Sequence, residues 1–217
     1  MVLYRTLFQE GIYEQVIEKS RFIGHVKPVD SREAAEAYIA EIRGKYKDAT
    51  HNVPVIVLGD KMQTQWASED GEPQGTAGTP ILQMVIMEEL TNIVVVVTRY
   101  FGGVKLGTGG LVRAYTGTAK KAIENSGIGE VVPMVNLVII FEYSLLDKLK
   151  HMGNSLKVEG SNLYFEVKDL MFGEQVRGTL VYQEEFEEKI VSALANLTGD
   201  SHTVVARDTT LSKIKIS

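Results

Sequence analysis

The order of apolar and polar positions predicts a chain of alternating strands and helices. Glu10 to Val29 alternates loosely through Ile12, Val16, Phe22, Ile23 and Val26, which predicts a strand pair or one long bent strand. Asp30 or Ser31 is placed to cap a helix through Lys47, with Ala34, Ala35, Tyr38, Ile39 and Ile42 on one face at helical spacing. Val53–Leu58 reads as a strand, Gly59-Asp60 as a turn, and Gln63–Ala67 as its hairpin partner. After the polar stretch 68–80, Thr79 and Pro80 look like the cap and first residue of a helix reaching Glu89. The apolar, β-branched run Ile93–Thr98 predicts a strand buried on both faces. A glycine-rich loop follows it. A helix is then expected from Gly110 or Leu111, with Leu111, Ala114, Tyr115, Thr118 and Ala122 on its packed face.

Gly127 and Gly129 end that helix, and the pattern changes. Strand (Val135–Tyr143), helix (Leu145–Met152), strand (Leu156–Val167), strand (Gln175–Tyr182), helix (Glu184–Leu197) and strand (Thr203–Ile216) follow. That βαββαβ order is the ferredoxin-like plan. The expected break lies at 127–133, giving domains 1–130 and 131–217 within a mixed α/β (α+β) chain.

Composition narrows the functional classes. At 217 residues with 44% hydrophobic and 24% charged content, the chain can build one large core or two small ones. It has no cysteine, which removes disulfides and thiolate chemistry and fits a cytoplasmic setting. The first twenty residues lack the cationic and long apolar segments of a secretory signal, and runs such as Val131–Phe141 are too short for a spanning helix. No membrane association is expected. Net charge is −5 and neither half is basic, which argues against a general nucleic-acid coat and against DNA as a partner.

Against that acidic background, no Asp or Glu occurs between Glu89 and Glu124, while Arg99, Lys105, Arg113, Lys120 and Lys121 all do. Strand, glycine loop (Gly102, Gly103, Gly107, Gly109, Gly110) and helix start together form an arrangement suited to anions. The stretch matches neither the P-loop nor the G-x-G-x-x-G pattern, since Val112 stands where the last glycine belongs. The expected anion- or nucleic-acid-binding set is Arg99, Tyr100, Lys105, Arg113 and these five glycines. Tyr100 and Phe101 are either stacking platforms for a base or core.

In the loop 68–79, Glu69, Asp70 and Glu72 form a carboxylate cluster with Thr76 nearby. They read as metal or acid–base residues, as solvated turn formers, or as partners for Arg99 or Arg113 that tie two loops together. His51, beside Asn52, is a candidate base or ligand without an identifiable partner. His25, His151 and His202 carry no motif, and Ser68, Thr76 and Thr108 have no nucleophile setting. No catalytic residue, metal site or cofactor is assigned.

The segments EDGEPQGTAGTP (69–80) and VVVVTRYFGGVKLGTGGLVRAY (94–115), with His51-Asn52 upstream, closely resemble the signature of the YigZ/IMPACT family. Val53 stands where the family often has Cys, and Glu69 where it often has Asp. The resemblance implies a first domain like one shared by a small-subunit ribosomal protein and elongation factor G. It implies a second, ferredoxin-like domain similar to another domain of that factor. Asp70, Glu72, Arg99, Tyr100, Lys105 and Arg113 belong to the shared motif. In family terms, eukaryotic IMPACT restrains activation of a translation-initiation-factor kinase by binding its activator. The expected function is a non-enzymatic binding protein of the translation system, contacting structured RNA, the ribosome or a translation-associated protein. The alternatives are an enzyme acting on a phosphorylated small molecule, whose first domain shares a general fold with some small-molecule kinases, and a purely protein-binding regulator.

Overall fold

The computed structural model describes residues 1–156 and 163–216. The chain folds into two compact units: Leu3–Val131 with Lys213–Ser217, and Val132–Ser212 with Met1–Val2.

In the first unit the central element is β6 (Ile93–Tyr100), and its sequence explains its place. Ile93, Val95 and Val97 enter one core while Val94 and Val96 enter another, so the run is apolar at every position. Around it lie β1 (Tyr4–Leu7), β2 (Gly11–Ile17), β3 (Ser20–Pro28), β4 (His51–Leu58) and β5 (Thr64–Ala67). The sheet order is β2-β3-β6-β4-β5, antiparallel throughout, with β2 and β5 at the edges. Glu10–Val29 is thus a hairpin, turned at Glu18-Lys19, both left-handed at φ 45° and 65°.

One face is covered by α1 (Arg32–Lys45), capped by Ser31, whose hydroxyl accepts the Ala34 N–H. The other is covered by α2 (Gly78–Met87) and α3 (Gly107–Ser126), which bury Ile81, Val85, Leu111, Tyr115 and Ala122. Two helix starts differ from expectation. Thr79 is not the cap of α2, which begins at Gly78, and α3 starts three residues before Gly110. Gly109 and Gly110 take no left-handed φ, so they extend the helix instead of delaying it.

The second unit has its own core. Its elements are β7 (Ile128–Phe141), of which Ile128–Val131 still belong to the first unit and pair there with β1, then α4 (Leu146–Leu156), β8 (Phe165–Phe172), β9 (Val176–Gln183), α5 (Glu187–Thr198) and β10 (Thr203–Lys215). Strand order β10-β7-β9-β8 realises the ferredoxin-like plan. Val135, Leu137, Ile139 and Phe141 pack on Leu149, Ile190 and Leu194. The strand expected over Leu156–Val167 lies partly outside the described residues; Leu156 closes α4 instead. Among the described residues no helix is long and apolar enough to cross a membrane.

Candidate functional site

The residues nominated from sequence separate into a sealed network and an open cleft. The network is built where the loop after β5 folds over the ends of β4 and β6. Asp70 is left-handed at φ 48° and Gly71 at φ 88°. That turn directs the Asp70 carbonyl to accept from His51 Nδ1 at 2.7 Å, so this nitrogen carries the proton. The Asp70 carboxylate accepts from Arg43 Nη2 at 2.8 Å and from the Asn52 N–H at 2.6 Å. Thr76 turns back on Pro73, its hydroxyl donating to that carbonyl at 2.7 Å.

Glu72 is buried, and its Oε1 receives both Arg99 Nη1 and the Tyr115 hydroxyl at 2.6 Å. His51 Nε2 lies 3.7 Å from the same oxygen. Burial and the hydrogen bond to Glu72 push the Tyr115 phenol far above its usual range. The Arg99 guanidinium sits 5.4 Å from the Phe22 ring centre and 5.3 Å from that of Phe101.

This overturns the reading of Arg99 as a phosphate contact: only 5% of the residue is exposed, and its charge is taken by Glu72. Tyr100 is likewise occupied. Its hydroxyl donates to Asp48 at 2.9 Å, and Arg21 lies over its ring. The Asp70 and Glu72 carboxylates are taken up by protein donors, Asp70 from within a left-handed turn. Among the described residues no group of three or more His, Cys, Asp or Glu is placed to hold a metal. Glu69 instead caps α2, accepting from Gly75, Ala77, Gly78 and Thr79 backbone N–H groups and the Thr79 hydroxyl. Burial raises its carboxyl, but those donors together outweigh it and hold the group below the ordinary range.

The glycines serve the chain's own geometry. A Cβ on Gly102 would run into the Lys19 carbonyl, and Gly102 donates its N–H to Ser20 Oγ at 3.1 Å. Gly103 and Gly107 are left-handed at 82° and 70°. Gly102 thus sets the loop against the β2–β3 turn.

The open part is a cleft of about 680 Å³ between β2 and α3. Tyr13, Gln15, Ile17 and Glu18 form one wall, Val104, Lys105 and Leu106 an end, and Gly110, Arg113, Ala114, Gly117 and Lys121 the other wall, so one carboxylate stands among the cations. The spacing 110, 113, 114, 117, 121 is one helical stripe. Among the described residues Lys105 and Arg113 make no ion pair, while Lys121 holds Glu124 at 2.7 Å. The start of α3 has no side-chain cap and no acid in its first turn, leaving its N–H groups and positive end open. Sequence reasoning missed β2 and Gly117 as parts of this cleft. A glycine in mid-helix, seven residues after Gly110, was the one signal pointing to it.

A two-unit α/β protein carrying this buried Arg–Glu–Tyr network is matched over residues 18–123 by the Impact N-terminal domain. The chain is 36% identical over 192 residues to the IMPACT family member YvyE of Bacillus subtilis, covering 88% of this chain and 83% of that one. It is 39% identical over 132 residues to the IMPACT family member YigZ of Escherichia coli, covering 60% and 65%. A crystal structure described as that of a hypothetical protein superposes with a TM-score of 0.57 at 28% identity, covering 94% and 96%. The chain belongs to the IMPACT family.

Proposed function

We propose that this protein is a non-enzymatic binding protein of the translation system. It takes an anionic partner, structured RNA or an acidic protein surface at the ribosome, in the cleft between β2 and α3. The carrying observation is the pair of cations without an ion pair among the described residues, Lys105 and Arg113, beside the uncapped start of α3. The family resemblance supports the link to translation.

The test is binding of purified protein to ribosomes across a salt series, beside Lys105→Glu and Arg113→Glu. Two phosphate contacts predict a log–log slope of about −2, and each charge reversal should lower its magnitude by about 1. Binding that is absent at low salt, or unchanged by Lys105→Glu, refutes the proposal.

A further inference from the structure

The cleft has an unusual wall: one side is an open sheet edge. The tight turn at Glu18-Lys19 makes Ile17 and Ser20 a hydrogen-bonded pair, and the ladder then alternates along Gln15/Phe22 and Tyr13/Gly24. The backbone groups of Ile12, Glu14 and Val16 therefore point away from β3. The Ile12 carbonyl confirms this direction by accepting from Asn125 Nδ2 of α3 at 2.8 Å. Beyond that point Glu14 and Val16 leave two N–H and two C=O groups without a strand partner among the described residues.

Tyr13, Gln15 and Ile17 face the cleft, while Ile12 and Val16 lie on the opposite face, 52% and 66% exposed, with Glu14 between them holding Arg21. Across the cleft, Gly117 sits in the middle of a 20-residue helix, and a Cβ there would meet nothing within 4 Å. Neither neighbouring packing nor backbone conformation requires this glycine, and its bareness keeps the cleft wide.

We infer that β2 is a docking edge for an extended segment of a protein partner whose residues alternate between acidic and apolar. The segment adds as a strand beside Glu14 and Val16. Its acidic side chains enter the cleft toward Lys105 and Arg113, away from Glu18 at the turn end of the wall, and its apolar ones cover Ile12 and Val16 on either side of Glu14. The inference rests on the anionic-partner reading above and names the partner as protein. Main-chain hydrogen bonds hold the segment in register, and the cations select its charge.

The probe is a fluorescein-labelled nine-residue peptide alternating valine and glutamate, titrated against the full chain, with oligouridylate as the nucleic-acid comparison. Two substitutions test the edge and the cleft. Glu14→Pro removes an outward N–H that the hairpin does not use together with the Glu14–Arg21 ion pair, so Glu14→Gln, which loses only the ion pair, is its control, and Gly117→Leu fills the cleft from an open helix position. The expected result is peptide binding that Glu14→Pro and Gly117→Leu each weaken at least tenfold while both still unfold cooperatively, binding that Glu14→Gln retains, and slowed amide exchange at Glu14 and Val16 of the parent. Ribosome or oligouridylate binding that needs Lys105 but is indifferent to Glu14→Pro overturns the docking edge and leaves the anionic-partner reading standing. Ribosome binding indifferent to Lys105→Glu overturns both. Concentration-dependent self-association abolished by Glu14→Pro would give the edge to a second copy and likewise overturn the inference.

Discussion

Arg99 and Glu72 show how a charge in a family motif serves the fold. Each lies almost wholly out of solvent, and the pair is completed by Tyr115. Removing one member leaves the other charged and buried, which costs about 3–5 kcal/mol. Arg99→Ala should therefore lower the free energy of urea unfolding by that amount, whereas Lys105→Glu, at an exposed position, should change it by less than about 0.5 kcal/mol. His25 makes a second residue-scale prediction. It is 2% exposed on β3, and burial, aided by the charge of Lys45 and opposed by Glu10, pushes its imidazole down to about 4. Below pH 6.5 the unfolded chain takes up a proton that the folded chain refuses. Stability should fall from pH 6.5 toward 4 by about 3 kcal/mol on this account. Urea midpoints of His25→Leu over the same pH range should show that part of the slope removed.

At the scale of elements, α2 and α3 begin in opposite ways. The first turn of α2 is satisfied by Glu69, eight residues before its cap position, so Glu69→Ala should cost about 1–2 kcal/mol of stability. Its carboxyl is held below the ordinary range, so this contribution is present at neutral pH and is lost as pH falls. The start of α3 is left open, and a further glycine interrupts its middle. Gly117→Ala meets no neighbour and should raise the unfolding free energy by about 0.5–1 kcal/mol, while Gly102→Ala should lower it through collision with Lys19. Opposite shifts for two Gly→Ala changes in thermal unfolding would separate a glycine kept for packing from one the fold does not require.

For the whole molecule, the two cores are distinct, yet the last strand serves both units. Lys213 Nζ donates to the Leu7 carbonyl at 2.8 Å and the Ile216 N–H to the Ile128 carbonyl at 2.9 Å, both inside the first unit. Truncation after Ser212 should speed amide exchange in β1 and at the start of β7 and leave the Val135–Leu149–Ile190 core protected, as read by hydrogen-exchange mass spectrometry. The net charge of −5 places the cleft cations on an acidic molecule. Attraction of an anionic partner is then local to the cleft and screened within about 8 Å at physiological salt.

Elements whose patterning is local could be read from the order of residues alone. Ile93–Thr98 could be read because helices cover both faces of its strand and leave no polar position. The α1 stripe and the βαββαβ order were legible for the same reason, and the acid-free window from Leu90 to Ile123 marked where cations gather. Which cations are free depends on contacts made in the folded chain. Arg99 is paired with Glu72, 27 residues away in sequence, while Arg113 faces the cleft on the outer side of α3. The period of a strand gives which residues share a face but not whether a neighbour lies beyond its edge, so the opening at Glu14 and Val16 could not be read from Gly11–Ile17. Ion pairing and strand edges are set by residues distant along the chain, and folding alone brings those residues within a few ångströms.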